Sequence, residues 1–416
     1  MAKFETKRIV IAGGGFAGIR AALDLEKQNL QNAKITLISK APHFEYHAAL
    51  YRVVTGRNPL EVCIPLSEIF KNKNVEIIED EIQKIDLKNK MLSGKSGSKY
   101  KYTFLLLSLG SETSYFDIPG LEKLSFGLKS TSEALELKRH LHQLFEEARS
   151  QKDKQQQINN LHFVVVGGGA TGTETAGELA VYTKKLAKNH DIDPSIVKID
   201  LIHSGKNLLP QLPLDMAKKL EKRLKSLGVN LILDNRLLKE EVESAYLKDM
   251  ELKTKTVVWT AGVTLNNLYK TTKGLKFDKD KKLEVNKYLE AKDQKNIFIL
   301  GDAAAIRHPG MAQSAIYDGA FVGQTITSRI NHTAPPSYKP SQISYAIPVG
   351  PGWAATLYKG MKFYGHAGWY LRRIADLKFF LSILPPSKAF RAFKSGMTLT
   401  ESCPVCAPLT KGHKEE

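Results

Sequence analysis

Two glycine-rich turns of identical spacing lie 154 residues apart in this chain, and together they restrict what it can fold into. The first, Gly13-Gly14-Gly15-Phe16-Ala17-Gly18, follows the β-branched run Arg8-Ile9-Val10-Ile11-Ala12. The second, Gly167-Gly168-Gly169-Ala170-Thr171-Gly172, follows Phe163-Val164-Val165-Val166. Both read G-x-G-x-x-G between a strand-like run and a helical pattern, the context that gives the motif meaning. The first glycine permits a turn that a Cβ forbids, the second lets the backbone approach a pyrophosphate, and the third lets helix and strand pack closely. The helix that follows aims its unsatisfied N–H groups at the phosphates. One copy is a weak signal. Two imply two dinucleotides, and a protein holding two usually passes electrons between them.

The rest of the chain supports an α/β reading. Residues 8–12 and 34–38 read as strands around a helix from about Gly18 to Lys27. The pattern restarts with strand 162–166, a helix over about 172–188 and strand 198–202. Further strands are predicted at 229–233, 257–263 and 296–302, and helices at 131–148, 214–227 and 311–331. The polar, Gln-rich stretch 149–160 reads as a solvated linker. This order predicts two α/β, Rossmann-like domains, the second inserted in the first: 1–118 with 287–335, then 119–286. A C-terminal unit, α/β or helical, covers 336–416.

Composition narrows the setting. The chain has 416 residues, 42% hydrophobic and 25% charged, enough for two or three cored domains. Its longest apolar runs are far too short to span a bilayer, and the N-terminus runs almost directly into a strand, with no secretory pattern. Three cysteines make no disulfide framework, so the expected setting is reducing and cytoplasm-facing. Net charge is +18, and from Lys339 onward 11 Lys and Arg stand against 4 Asp and Glu. Such a basic segment suits an anionic membrane surface or nucleic acid. Between Trp353 and Phe393, aromatics alternate with Lys and Arg at helical spacing, as in an interfacial helix; the alternative is a helix capping the core.

Asp302, closing the strand in Ile299-Leu300-Gly301-Asp302-Ala303, can accept hydrogen bonds from a ribityl chain or cap a helix beginning at 303. Cys63 reads as packed core, and Cys403-Pro404-Val405-Cys406 as a possible redox pair, with His413 a lone metal candidate. No metal site is expected.

With these segments in view, the chain resembles the two-dinucleotide flavoproteins of the pyridine nucleotide-disulfide oxidoreductase superfamily. Within them it is similar to the type II NADH:quinone oxidoreductases. The similarity rests on Phe44 to Gly56, Gly127 to Ser130, Val164 to Leu179, Val258 to Val263, Gly301 to Ala304 and Ala312-Gln313-Ser314-Ala315. It implies an FAD-dependent NAD(P)H dehydrogenase that reduces a membrane quinone without pumping protons. FAD would lie on Gly13, Gly14, Gly15, Phe16, Ala17 and Gly18, with Ser39, Lys40, His47, Ile82, Gly110, Asp302 and Ala303. NAD(P)H would lie on Gly167, Gly169, Ala170, Thr171 and Gly172, with His203 and Gly262. Glu174 would stand near nicotinamide and flavin, and Gln313 and Tyr317 beside the quinone. Glu174 could also simply compensate a helix dipole. The resemblance favours a peripheral protein on the cytoplasmic face of the membrane, and a homodimer is an open expectation.

The chain departs from the family pattern where the second strand of each unit normally ends in an acid: Ser39 and His203 stand there, and Tyr317 replaces the usual Gln. NADPH joins NADH as a candidate donor. The disulfide-reductase and sulfide-oxidising members carry cysteines near the flavin that this chain lacks. Two alternatives remain: a thiol-disulfide reductase using Cys403 and Cys406, and a nicotinamide-responsive protein docking on membrane or nucleic acid, with nucleic acid the weaker partner.

Overall fold

The computed structural model describes residues 6–398; Cys403, Cys406 and His413 lie outside them. The chain forms two compact units. Among the described residues, the first comprises 6–45, Ile64–Glu112 and Thr264–Ile343, and the second Tyr46–Cys63, Thr113–Val263 and 344–398. Residues 264–286 therefore cluster with the first glycine turn, whereas 46–63 and the C-terminal segment cluster with the second. The borders expected from sequence, 118/119 and 286/287, differ from these.

The first unit is built on a five-stranded parallel sheet ordered Ile297–Ile299, Phe104–Leu107, Lys7–Ala12, Ala33–Ser39, Glu76–Glu79. Phe104-Leu105-Leu106-Leu107 is buried along its whole length, as the inner strand of a sheet covered on both faces must be. Val10, Ile38, Leu105, Leu107, Ile297 and Ile299 share one core cluster with Ile82 and Ala303. The second unit repeats the plan with four parallel strands ordered Val229–Leu233, Lys198–His203, His162–Val166, Thr256–Trp259. Its central strand is fully buried, and Val164, Val166, Ile202 and Trp259 lie in its core.

Both units thus place the first strand of the β-α-β pattern in mid-sheet, so each glycine turn emerges at a crevice between neighbouring strands. The helices that follow are Phe16–Lys27 and Ala170–Asn189.

Two sequence expectations needed correction. The Gln-rich stretch is no linker: helix Thr131–Ser150 is followed by helix Lys154–Asn160. The Asp153 side chain accepts from the N–H groups of Gln155 and Gln156, and Gln155–Asn159 and Gln156–Asn160 pair one turn apart. A cap and amide pairs stabilise a polar helix that hydrophobic periodicity cannot reveal. The aromatic-basic segment is helical only in part. Ala354–Tyr358 and Met361–Phe363 are strands, joined to Tyr345–Pro348 in an antiparallel sheet. Helices Gly365–Ile383 and Pro386–Ser395 follow.

Candidate dinucleotide sites and a buried charged cluster

In the first turn Gly13 adopts φ +114°, and a Cβ there would overlap the carbonyl oxygen of Ser108. A Cβ on Gly18 would strike the Gly13 carbonyl, whereas one on Gly15 would meet nothing within 4 Å. Gly15 is also the N-cap of its helix, with no side-chain cap and no acid in the first turn. Bare N–H groups at a helix start, beside open space along the backbone, are what a pyrophosphate requires.

The second turn has the same construction. Gly167 has φ +124° and crowds Thr260, Gly172 faces the Gly167 carbonyl, and Gly169 has nothing within 4 Å. Gly169 N-caps its helix, again without a side-chain cap or a first-turn acid.

Each turn is braced by a hydroxyl that sequence reasoning missed. Ser108 Oγ donates toward the carbonyls of Ala12 and Gly13, both at 3.0 Å. Thr260 Oγ1 donates to the Val166 carbonyl at 2.8 Å and reaches that of Gly167 at 3.4 Å. The signal was present as a repeated hydroxyl-x-Gly, Ser108-Leu109-Gly110 and Thr260-Ala261-Gly262, directly after an apolar strand.

The ends of the second strands differ. Ser39 is buried, and its Oγ donates to the Ala41 carbonyl at 2.8 Å; Lys40 pairs with Glu81 at 2.7 Å. His203 receives the Gly168 N–H on Nδ1 at 3.2 Å. Burial lowers its pKa against a smaller upward pull from the Asn207 backbone.

The remaining residues expected at FAD fall as follows. Gly110 has φ +70° and open space around it. Ile82 and Ala303 bury their side chains in the core. His47 is exposed and belongs to the second unit. Asp302 caps no helix, which overturns that alternative: it lies in the short turn Gly301–Ala303, and the long helix begins only at Ala312. Ser111 Oγ donates to its carboxylate at 2.6 Å. Gly301, before it, has φ +67° and donates its N–H to Asp318 at 3.1 Å. Asp318 also accepts from Tyr338 at 2.7 Å, and burial pushes it up to about 6. Gln313 and Tyr317 stand one turn apart on helix Ala312–Ile330, both exposed, so the structure brings these two together. In the second unit Ser114 donates its N–H to the Gly262 carbonyl at 3.1 Å.

Glu174 is the fifth residue of its helix and buried. Burial pushes its carboxyl up to about 8, against the pull of Arg372 and Arg52. The residue lies past the first turn of its helix, which holds no acid. Nearby in the same unit lies a charged cluster that sequence reasoning did not find. Arg52 bonds Glu61 at 2.7 Å and Asp376 at 3.2 Å; Arg373 bonds the same two at 2.6 and 3.1 Å. Arg372 meets Asp376 at 3.0 Å, and Tyr46 donates to Asp376 at 2.6 Å. Burial would raise Asp376, but Arg372 and Arg52 outweigh it and hold the carboxyl below its usual range. The only sequence trace was Arg372-Arg373-x-x-Asp376, a helical i, i+3, i+4 set.

Cys63 is buried, as expected of core. Among the described residues no group of His, Cys, Asp and Glu could hold a metal, and no helix is long and apolar enough to cross a membrane.

Residues 7–319 match the pyridine nucleotide-disulphide oxidoreductase family. The chain is 30% identical to the type II NADH:quinone oxidoreductase Ndh of Mycobacterium tuberculosis, over 80% of this chain and 75% of that protein. It is 23% identical to the type II NADH:quinone oxidoreductase of Staphylococcus haemolyticus, over 94% of this chain and 99% of that one. Its fold matches the solved structure of NDH2 from Plasmodium falciparum in complex with NADH, with a TM-score of 0.86 at 17% identity, covering 94% of this chain and 98% of that one. The two strand-turn-helix cradles accordingly belong to a member of the pyridine nucleotide-disulphide oxidoreductase family, in its type II NADH:quinone oxidoreductase branch.

Proposed function

We propose that this chain is an FAD-dependent NADH:quinone oxidoreductase. The observation that carries the reading is the paired cradle: at Gly15 and at Gly169 the backbone is open beside an uncapped helix start. FAD, when bound, supplies the chemistry, accepting a hydride from NADH and delivering two electrons to a quinone.

The chain's own residues hold and shield the reactants. The first turn holds the FAD pyrophosphate, and the Asp302 carboxylate, fixed by Ser111, receives ribityl hydroxyls. The second turn holds the pyridine nucleotide. Glu174, buried in the second unit, holds a proton on its carboxyl near neutral pH because burial raises it. Gln313 and Tyr317 offer an amide and a phenol to quinone oxygens from one helix face. No group among the described residues forms a redox thiol pair or a metal site, and proton pumping has no role in this reading.

A membrane surface fits helix Gly365–Ile383 and the helix after it. Tyr370, Ile374 and Leu381 are exposed along one side, with Lys378 among them, and Phe390 is exposed next to Arg391. Rings at headgroup depth beside cations suit an anionic bilayer. The opposite side of the first helix buries Arg373, Asp376, Phe380 and Ile383.

The test is spectroscopic. The purified protein, supplied with FAD, is expected to be yellow, to bleach with anaerobic NADH and to recover its colour with quinone. Protein that stays colourless after FAD is added overturns the proposal.

A further inference from the structure

We infer that the pyridine-nucleotide site is built to admit a 2′-phosphorylated coenzyme, so that NADPH serves as donor alongside NADH, with His203 and Lys206 the residues that decide it. This rests on the proposed placement of the coenzyme at the second turn.

In a dinucleotide fold the end of the strand beside the glycine turn faces the adenosine ribose. A carboxylate there accepts the 2′-hydroxyl and repels a 2′-phosphate; a cation nearby welcomes one. Strand Lys198–His203 ends on His203, and the ring packs over the turn: a Cβ on Gly168 would lie 2.5 Å from it. Because Nδ1 accepts the Gly168 N–H, the imidazole is anchored where the acid would stand. An imidazole is neutral or cationic, never anionic, so the position carries no negative charge to repel a phosphate.

The residues that follow add positive charge. Lys206 is exposed three positions on and has no ion-pair partner among the described residues. Arg236 is exposed in the loop that meets this one through the bonds Asp234 N–H to Gly205 and Asn235 N–H to His203. The rim has one opposing acid, Asp234, which is also exposed. It ends strand Val229–Leu233, which lies on the far side of Lys198–His203 from the turn-bearing strand, so His203 and not Asp234 borders the glycines.

Two measurements on the full-length, FAD-loaded protein test this. The first is equilibrium binding of 2′,5′-ADP against 5′-ADP by calorimetry, which needs no turnover. Wild type is expected to bind 2′,5′-ADP at least as tightly as 5′-ADP. His203→Glu is expected to weaken 2′,5′-ADP relative to 5′-ADP by about tenfold or more, and Lys206→Ala by roughly threefold, as loss of one phosphate contact requires. The second is the ratio of kcat/KM for NADPH to that for NADH with a soluble quinone. It is expected above about one-tenth in wild type and to fall about tenfold in His203→Glu. A wild-type ratio below that level, or weaker binding of 2′,5′-ADP than 5′-ADP, overturns the inference. NADH turnover in the same assay keeps that failure apart from failure of the oxidoreductase reading, in which neither coenzyme would reduce quinone. Lys206 is exposed, so its variant reports even if His203→Glu does not fold.

Discussion

The two glycine turns of this chain share a skeleton and diverge in their attendant side chains. Both place a left-handed glycine against a braced carbonyl, leave the middle glycine open and press the last one onto the first. Seven residues after each leading glycine they part. The first helix carries Arg20, partly exposed and paired with Asp24 at 2.8 Å; the second carries Glu174, buried and protonated near neutrality. The strand ends differ too: Ser39 spends its hydroxyl on its own loop, whereas His203 is tied to the turn itself. The common parts are those that any pyrophosphate demands. The divergent ones are where the proposed FAD turn and the proposed pyridine-nucleotide turn can be told apart by experiment.

Substitution at the open glycines should break the symmetry most sharply. Gly15 and Gly169 have extended backbones that any residue adopts, φ −84° and −79°, and a Cβ at either meets nothing within 4 Å. Gly15→Val should fold yet lose bound flavin by about tenfold or more, and with it all activity. Gly169→Val should stay yellow while its KM for NADH rises roughly tenfold. Flavin absorbance and steady-state kinetics separate the two; a colourless Gly169→Val would reverse the assignment of the turns.

The closing glycines should behave alike. Gly18→Ala and Gly172→Ala each drive a Cβ into a carbonyl oxygen, so each should cost about 1–3 kcal/mol of stability. Thermal melting measures it, and a Tm unchanged in either would mean that its turn is looser than drawn.

Glu174 distinguishes the turns through pH. Its folded pKa of about 8 exceeds its ordinary value of 4.5, so between these values the folded chain holds a proton that the unfolded chain has released. Stability contributed by this group therefore declines as pH rises through that window. Glu174→Gln removes the decline, and its Tm should fall less steeply from pH 5 to 8 than that of wild type. Parallel curves would show that the carboxyl ionises normally.

The smallest effect concerns the bracing hydroxyls. Ser108→Ala and Thr260→Ala should each cost about 1 kcal/mol, with the former expected to weaken FAD and the latter NADH.

Much of this was legible in the sequence because it is local. A glycine spacing, a β-branched run and a helical pattern each act within a few residues, so Gly13 to Gly18, Gly167 to Gly172 and the Asp302 segment could be read directly. The helix Lys154–Asn160 was missed because side-chain amides and an Asp cap support it where apolar periodicity is absent. The cluster of Arg52, Glu61, Arg372, Arg373 and Asp376 was missed for another reason. Its members come from segments more than 300 residues apart, and a lone Arg or Asp in a sequence reads as surface.

The amino-acid order alone determined the two strand-turn-helix cradles, since the backbone conformations they require are open only to glycine at fixed positions. Tertiary structure decided how each charge behaves. Burial made Glu174 an acid that keeps its proton, guanidinium neighbours made Asp376 one that gives its proton up, and the fold seated the His203 ring against Gly168. Those outcomes depend on desolvation and on distances across the fold, which a linear pattern does not encode.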